Sequence, residues 1–224
     1  MSIAERLAET RARIERAAEA AGRDPKTILL IAVSKTKDAA AIAEAHEAGQ
    51  RAFGESYAQE LAAKATALAH LDGIAWHFIG HLQSNKAKLI AAHAHVAHTI
   101  DSAALARELG RRVQLLERPP LPVLIEVNVA NEPQKHGVSA VELADVIAAV
   151  QQQPGLALHG LMTIPPDDLA AAKTTFETLV SLRNLHGGVS VLPELSMGMS
   201  ADLEVAIAAG ATMVRVGTAI FGDR

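Results

Sequence analysis

Two groups of residues in this chain have types and spacings that suit chemistry. The first is Lys35, which ends the run Ile28-Leu-Leu-Ile-Ala-Val-Ser-Lys35. An ammonium at the end of an apolar strand is costly to desolvate, which favours the free amine and readies it to attack a carbonyl. The ordinary alternative is a side chain that snorkels to water at the rim of the fold. Lys37 is a second candidate, further from the apolar run. The second group is Ser196-Met-Gly-Met-Ser200 together with Arg215-Val-Gly-Thr218. Gly198 permits a tight turn, Ser200 can cap the helix that follows, and the amides of such a helix start suit a dianion. Gly217 and Thr218 open a last short helix, Ala219-Ile-Phe-Gly222, in the same way. Each of these also has a plain structural reading, as an N-cap and as a strand exit.

Arg215 stands between Val214 and Val216, in a strand expected to be buried on both faces. It cannot shed its proton, so it requires an acceptor, either a structural carboxylate or a heteroatom of a ligand. His77, in Trp76-His-Phe-Ile-Gly80, lies on a strand expected to line the interior. Contact with a ligand and a satisfied core histidine are both open for it. His93, His95 and His98 lie close together, but their spacing lacks the i, i+4 face of a helical metal site and no carboxylate completes a pattern. They read as surface or helix-end histidines, and no metal is expected.

These groups must be positioned by the elements around them. Ser2 and Glu5 form a capping box, and Ile3, Leu7 and Ile14 then share one helical face until Gly22 and Pro25 stop the run. Strand candidates follow at Ile28–Lys35, Arg51–Gly54, Ala75–Gly80, Ala97–Ile100, Pro122–Val129, Ala157–Ile164, Glu194–Met197 and Thr212–Gly217. Helical runs alternate with them at Asp38–Ala48, Ala58–Ala69, Asn85–Ala94, Ala103–Leu116, Ala140–Gln152, Leu169–Leu185 and Ala201–Ala209. The strands are continuously apolar rather than alternating, as in parallel sheets covered on both faces. Strict βα alternation predicts a single-domain (β/α)8 TIM barrel over residues 1–224 with an extra N-terminal helix. An open doubly wound sheet is the runner-up, but no Gly-x-Gly-x-x-Gly follows the first strand. In such a barrel the active site gathers at the C-terminal strand ends, and phosphate sites form after strands seven and eight. Both groups then fall on one face.

Composition narrows the function further. With 21 Lys and Arg against 25 Asp and Glu, the net charge of −4 provides no basic stripe for nucleic acid. There is no cysteine, hence no disulfide, thiolate metal site or catalytic thiol. The N-terminal helix carries Glu5, Glu9, Glu15 and Glu19 and has no apolar h-region, so it is not a targeting signal. No stretch approaches the ~18 consecutive apolar residues of a membrane span. A soluble intracellular monomer is expected.

Five motifs in order carry a resemblance: Ala32-Val-Ser-Lys-Thr-Lys37; Phe53-Gly-Glu-Ser-Tyr57; Trp76-His-Phe-Ile-Gly80 with Leu82-Gln-Ser-Asn-Lys86; Leu195-Ser-Met-Gly-Met-Ser200; and Met213-Val-Arg-Val-Gly-Thr-Ala-Ile-Phe-Gly222. The chain resembles the pyridoxal phosphate homeostasis proteins, relatives of the N-terminal barrel of alanine racemase. The resemblance implies a cytoplasmic protein of this barrel type, without the C-terminal β-domain, holding pyridoxal 5′-phosphate as a Schiff base on Lys35. It implies that Ser200, Gly217 and Thr218 hold the phosphate and that Arg215 faces the pyridine nitrogen. With His77 from the barrel-lining strand, these form the candidate cofactor set, and none is given a catalytic role. The implied role is storage, buffering or delivery of the cofactor, with apoenzymes that use it as recipients. The alternatives are a low-activity pyridoxal phosphate-dependent racemase or lyase, and a Schiff-base aldolase working through Lys35 alone. A racemase of this type takes a second acid/base from an added β-domain, for which no room is expected after Gly222. Ser56 stands where the family has Asn, and Asp38 replaces a frequent Pro.

Overall fold

A computed structural model describes residues 1–222. Eight strands run β1 Leu29–Val33, β2 Ala52–Glu55, β3 Ala75–Phe78, β4 Val96–Ile100, β5 Leu121–Glu126, β6 Leu156–Met162, β7 Glu194–Ser196 and β8 Met213–Val216. The helices are α1 Ile3–Ala20, α2 Ala39–Glu47, α3 Ala58–Ala67, α4 Ala87–His93, α5 Ala103–Leu115, α6 Leu143–Gln151, α7 Leu169–Leu185, α8 Leu203–Ala209 and α9 Thr218–Phe221. The strands pair in parallel in chain order and β1 closes on β8, with Leu29 opposite Met213 and Ala32 opposite Val216. The TIM barrel is therefore complete, and an open sheet is excluded. Among the described residues no helix is long and apolar enough to cross a membrane.

The additional helix α1 starts on the expected capping box: Glu5 donates its amide to Ser2 Oγ at 3.2 Å, and Ser2 donates its amide to Glu5 Oε2 at 2.8 Å. Leu7 and Ile14 bury its inner face, which packs against α2, α8 and α9.

The continuous apolar strands are explained by two cores. Every second strand residue faces the helices: Val214 and Val216 join Leu, Ile, Val and Ala side chains of the surrounding layer. The intervening residues face inward, where Ile31, Ala52 and Met213 form a small separate apolar cluster. Above it the interior becomes polar, with His77, His98, Ser196 and Arg215 all buried. Ala58, Ala75, Ala103, Leu169 and Glu194 begin their elements as expected, and most other boundaries shift by one to three residues. β1 stops at Val33, leaving Ser34 and Lys35 in the turn beyond it, and α8 begins at Leu203 rather than Ala201. β5 ends at Glu126; Val127 still donates its amide to the Met162 carbonyl at 2.8 Å and also bridges Val138 within the long β5–α6 segment.

Closure leaves no slack between β6 and β7. A Cβ at Gly160 collides with the backbone carbonyl of Glu194, and backbone cannot swing aside as a flexible side chain does. Gly160→Ala is expected to cost about 1–3 kcal/mol, as overpacking does, and to lower the thermal midpoint by roughly 2–12 °C, at the 2–4 °C per kcal/mol of a domain this size. An unchanged midpoint in a calorimetric scan contradicts this tight register.

Candidate functional site

Lys35 leaves the barrel in a turn held by a buried ion cluster. Lys64, on α3, points inward and donates to the Ser34 carbonyl at 2.7 Å, to Glu55 Oε1 at 2.8 Å and to Glu60 Oε1 at 2.6 Å. Ser34 Oγ donates to the same Glu55 oxygen at 2.6 Å, and the Thr36 amide donates to Glu60 Oε1 at 2.6 Å. Both residues flanking Lys35 are thereby pinned. Thr36 is held at φ 65°, in the left-handed region that a β-branched residue seldom occupies. Burial pushes the Glu55 carboxyl up, while Lys64 and Ser34 pull it back. Lys35 itself is half-buried and makes no hydrogen bond or ion pair among the described residues. Lys37, the other sequence candidate, donates instead to the Gly222 carbonyl at 3.2 Å.

The wall facing Lys35 comes from the exits of β7 and β8. A cavity of about 390 Å³ is lined by Val33, Lys35, Met199, Ser200, Arg215, Gly217 and Thr218, among others. Five of the six sequence-predicted residues thus meet in one space; His77 does not line it. The two turns are bonded together, since the Arg215 amide donates to the Gly198 carbonyl at 2.9 Å. Gly198 sits at φ 95°, and a Cβ there strikes Ala206 of α8, so the turn needs glycine on two counts. Ser200 does not cap α8. Asp202 precedes the helix, and its carboxylate accepts the Met199 amide at 2.5 Å, which closes a turn ahead of the helix and delays its start. The Ser200 hydroxyl is left with no partner among the described residues, and its carbonyl accepts from Arg13 at 3.2 Å. The amides of Ser200, Ala201, Gly217 and Thr218 likewise have no backbone acceptor among the described residues.

Arg215 is buried, and its acceptors are neither of the two expected from sequence. Nη1 donates to Ser196 Oγ at 2.7 Å and Nη2 to the Thr163 carbonyl at 2.9 Å. Behind Ser196 the bonds continue: Ser196 Oγ lies 2.9 Å from His98 Nδ1, and His98 Nε2 lies 2.9 Å from His77 Nδ1. One direction satisfies every atom. Ser196 accepts from Arg215 and donates to His98, which donates from Nε2 to His77. Both imidazoles are then neutral. Burial holds His77 down to about 4, and burial with the charge of Arg215 holds His98 well below its ordinary range. Burial also draws Arg215 down to about 10, against the pull of Glu126 and Asp202, which leaves it charged at neutral pH. His98 is thus an interior residue and not a helix-end histidine, whereas His93 does close α4.

A second cavity of about 290 Å³ adjoins the first and shares Lys35, Ser56, Ile79 and Ile164 with it. The Glu126 carboxyl lines it with no hydrogen-bond partner among the described residues, while its carbonyl accepts the Val138 amide at 2.8 Å. Burial, with the nearby charge of Asp101, pushes its carboxyl up to about 7. The sequence reasoning missed Glu126, Lys64 and Glu60, and it gave Ser196 and His98, though both fall in groups it singled out, no part in holding Arg215. Glu126 had a visible signal, as an acid inside the apolar strand candidate Pro122–Val129.

A closed parallel barrel with a lysine past its first strand and donor-rich turns past its last two defines the class of the alanine racemase N-terminal domain. The sequence model of the family described as "Alanine racemase, N-terminal domain" matches residues 6–224. The Escherichia coli K12 pyridoxal phosphate homeostasis protein is 47% identical over 228 residues, covering 99% of this chain and 97% of that protein. The protein of that name from Pseudomonas aeruginosa is 48% identical, covering 100% of this chain and 96% of its own length. PipY of Synechococcus elongatus, solved without and with pyridoxal phosphate bound, superposes with TM-scores of 0.88 and 0.84 at 38% identity; each match covers 99% of this chain and 100% of PipY. The chain belongs to the pyridoxal phosphate homeostasis protein family.

The neutral imidazoles make the interior sensitive to acid. Between pH 6.5 and about 4 the unfolded chain binds a proton at His77 that the native chain refuses, so stability falls as pH drops through this window. The loss from His77 reaches about 3 kcal/mol. Urea midpoints from pH 7 to 4 should fall less steeply in His77→Gln than in the unaltered protein. Parallel curves contradict a neutral buried His77.

Proposed function

We propose that this protein binds pyridoxal 5′-phosphate as a Schiff base on Lys35 and acts in intracellular homeostasis of that cofactor. One observation carries the reading. The unpartnered amine of Lys35 shares a cavity of about 390 Å³ with Ser200, Gly217, Thr218 and Arg215. The cofactor supplies an aldehyde, a phosphate dianion and a pyridine nitrogen, and this wall has a counterpart for each.

Lys35 supplies the amine that condenses with the aldehyde. Ser200 and Thr218 offer hydroxyls, and the free amides of Ser200, Ala201, Gly217 and Thr218 offer N–H donors to the phosphate. Arg215 donates to the pyridine nitrogen and, being charged at neutral pH, does not leave that nitrogen a proton. An unprotonated ring is a poor electron sink, which favours a carrier over a catalyst. His77 acts at a distance, through His98 and Ser196, to orient the guanidinium. The relatives named for pyridoxal phosphate homeostasis and the cofactor-bound form of PipY support the same reading. The protein acts as a cytoplasmic monomer that stores the cofactor or passes it to apoenzymes.

Incubation of the purified chain with pyridoxal phosphate should produce a visible absorption band that borohydride bleaches, and Lys35→Ala should remain colourless. A chain that cannot be loaded contradicts the assignment. Rapid α-proton exchange on an amino acid by the loaded protein favours the racemase alternative.

A further inference from the structure

Three side chains that the cofactor reading does not use converge at the barrel mouth. His81 follows β3, Asp101 follows β4 directly, and His136 lies in the β5–α6 segment. One ligand-capable atom from each lies within 4.8 Å of the other two. His81 Nδ1 is 3.3 Å from Asp101 Oδ2. The His81 and His136 rings stack with centroids 3.7 Å apart and 9° between their planes. Both imidazoles are exposed and Asp101 is half-buried.

We infer that His81, Asp101 and His136 form a site for one divalent cation of the zinc type, independent of the Lys35 assignment. Two imidazoles and one carboxylate suit a borderline cation, whereas magnesium and calcium prefer oxygen ligands throughout. Three protein ligands with the fourth position open to water is the arrangement of reactive rather than purely structural zinc sites. Ligation requires the stacked rings to fan apart, because parallel rings do not aim their lone pairs at one point. Bond lengths of about 2.0–2.2 Å set tetrahedral donor atoms roughly 3.3–3.6 Å apart, a separation that His81 Nδ1 and Asp101 Oδ2 already have at 3.3 Å. Both imidazoles are exposed, so rotation about their side-chain torsions is the movement ligation asks for.

The surroundings favour a cation. Among the described residues Asp101 has no Lys or Arg partner, only His81. Lys135, beside His136, is neutralised by Glu132 at 2.6 Å. Glu126 lines the same cavity as His81 and His136 and sets an acidic group against the Lys35 amine there. A bound cation ties the β5–α6 segment to the β3 and β4 exits, beside the space that holds Lys35.

The test uses the full chain, stripped with a chelator, and titrates cobalt(II) as a spectroscopic probe with zinc(II) as competitor. One equivalent of cobalt should bind with an intense visible ligand-field band that zinc displaces. His136→Ala and Asp101→Asn should each weaken binding at least about tenfold, while Lys35→Ala, unable to take the cofactor, should bind cobalt as the unaltered chain does. His136 is exposed, so its variant folds even if Asp101→Asn does not. The inference is overturned if no stoichiometric band appears, if His136→Ala binds equally well, or if Lys35→Ala abolishes binding and so makes the lysine the ligand.

Discussion

The site depends on where the chain goes after Val33. An apolar strand leaving a barrel has no intrinsic reason to present its next lysine to the interior, and the turn that does so contains a threonine in left-handed backbone. Such backbone costs of order 1–3 kcal/mol and persists only where its surroundings over-determine it. Here the over-determination is electrostatic. Lys64 reaches inward from α3 and binds Glu55, Glu60 and the Ser34 carbonyl at once, and Glu60 in turn takes the Thr36 amide. A buried ion pair is a weak source of net stability, because desolvation offsets its attraction. Its value in this molecule is geometric: it fixes both neighbours of Lys35 and leaves Lys35 itself without a partner among the described residues.

A second polar network answers the first from the opposite wall. Arg215 carries its charge into the barrel and is held by Ser196 and the Thr163 carbonyl, with His98 and His77 in line behind, edge to face, as neutral links. Neutrality matters, since a proton on either imidazole would set a second positive charge along the column from the guanidinium. The two networks do not share a residue. One seats an amine, the other a guanidinium, and the cavity between them is bounded by the glycine turns after β7 and β8. The β/α scaffold alone does not specify this; the side chains that point into the barrel do.

Much of this was legible in the chain. The capping box at Ser2 and Glu5, the continuous apolar strands and the βα alternation all follow local rules that the fold obeys. Lys35, Ser200, Gly217 and Thr218 were visible because each lies past a strand exit, where barrel topology collects them, and Arg215 because it is a charge inside an apolar strand. What was not legible depends on tertiary neighbours. Asp202 captures the Met199 amide and displaces the cap expected of Ser200. His98 reads as one of a loose histidine group, yet the inward face of β4 buries it between His77 and Ser196. Lys64 reads as a helix-surface lysine on an Ala-rich segment, and only the placement of Glu55 beneath α3 turns it inward. His81, Asp101 and His136 belong to three separate segments, and no spacing in the chain relates them.

The central claim is that position, set by these two networks, selects one amine for the cofactor. Borohydride reduction of the protein loaded with pyridoxal phosphate, followed by peptide mapping by mass spectrometry, tests this most directly. The account predicts a single modified peptide with the pyridoxyl group on Lys35. A label carried instead by Lys37, Lys64 or Lys135, with Lys35 unmodified, contradicts it.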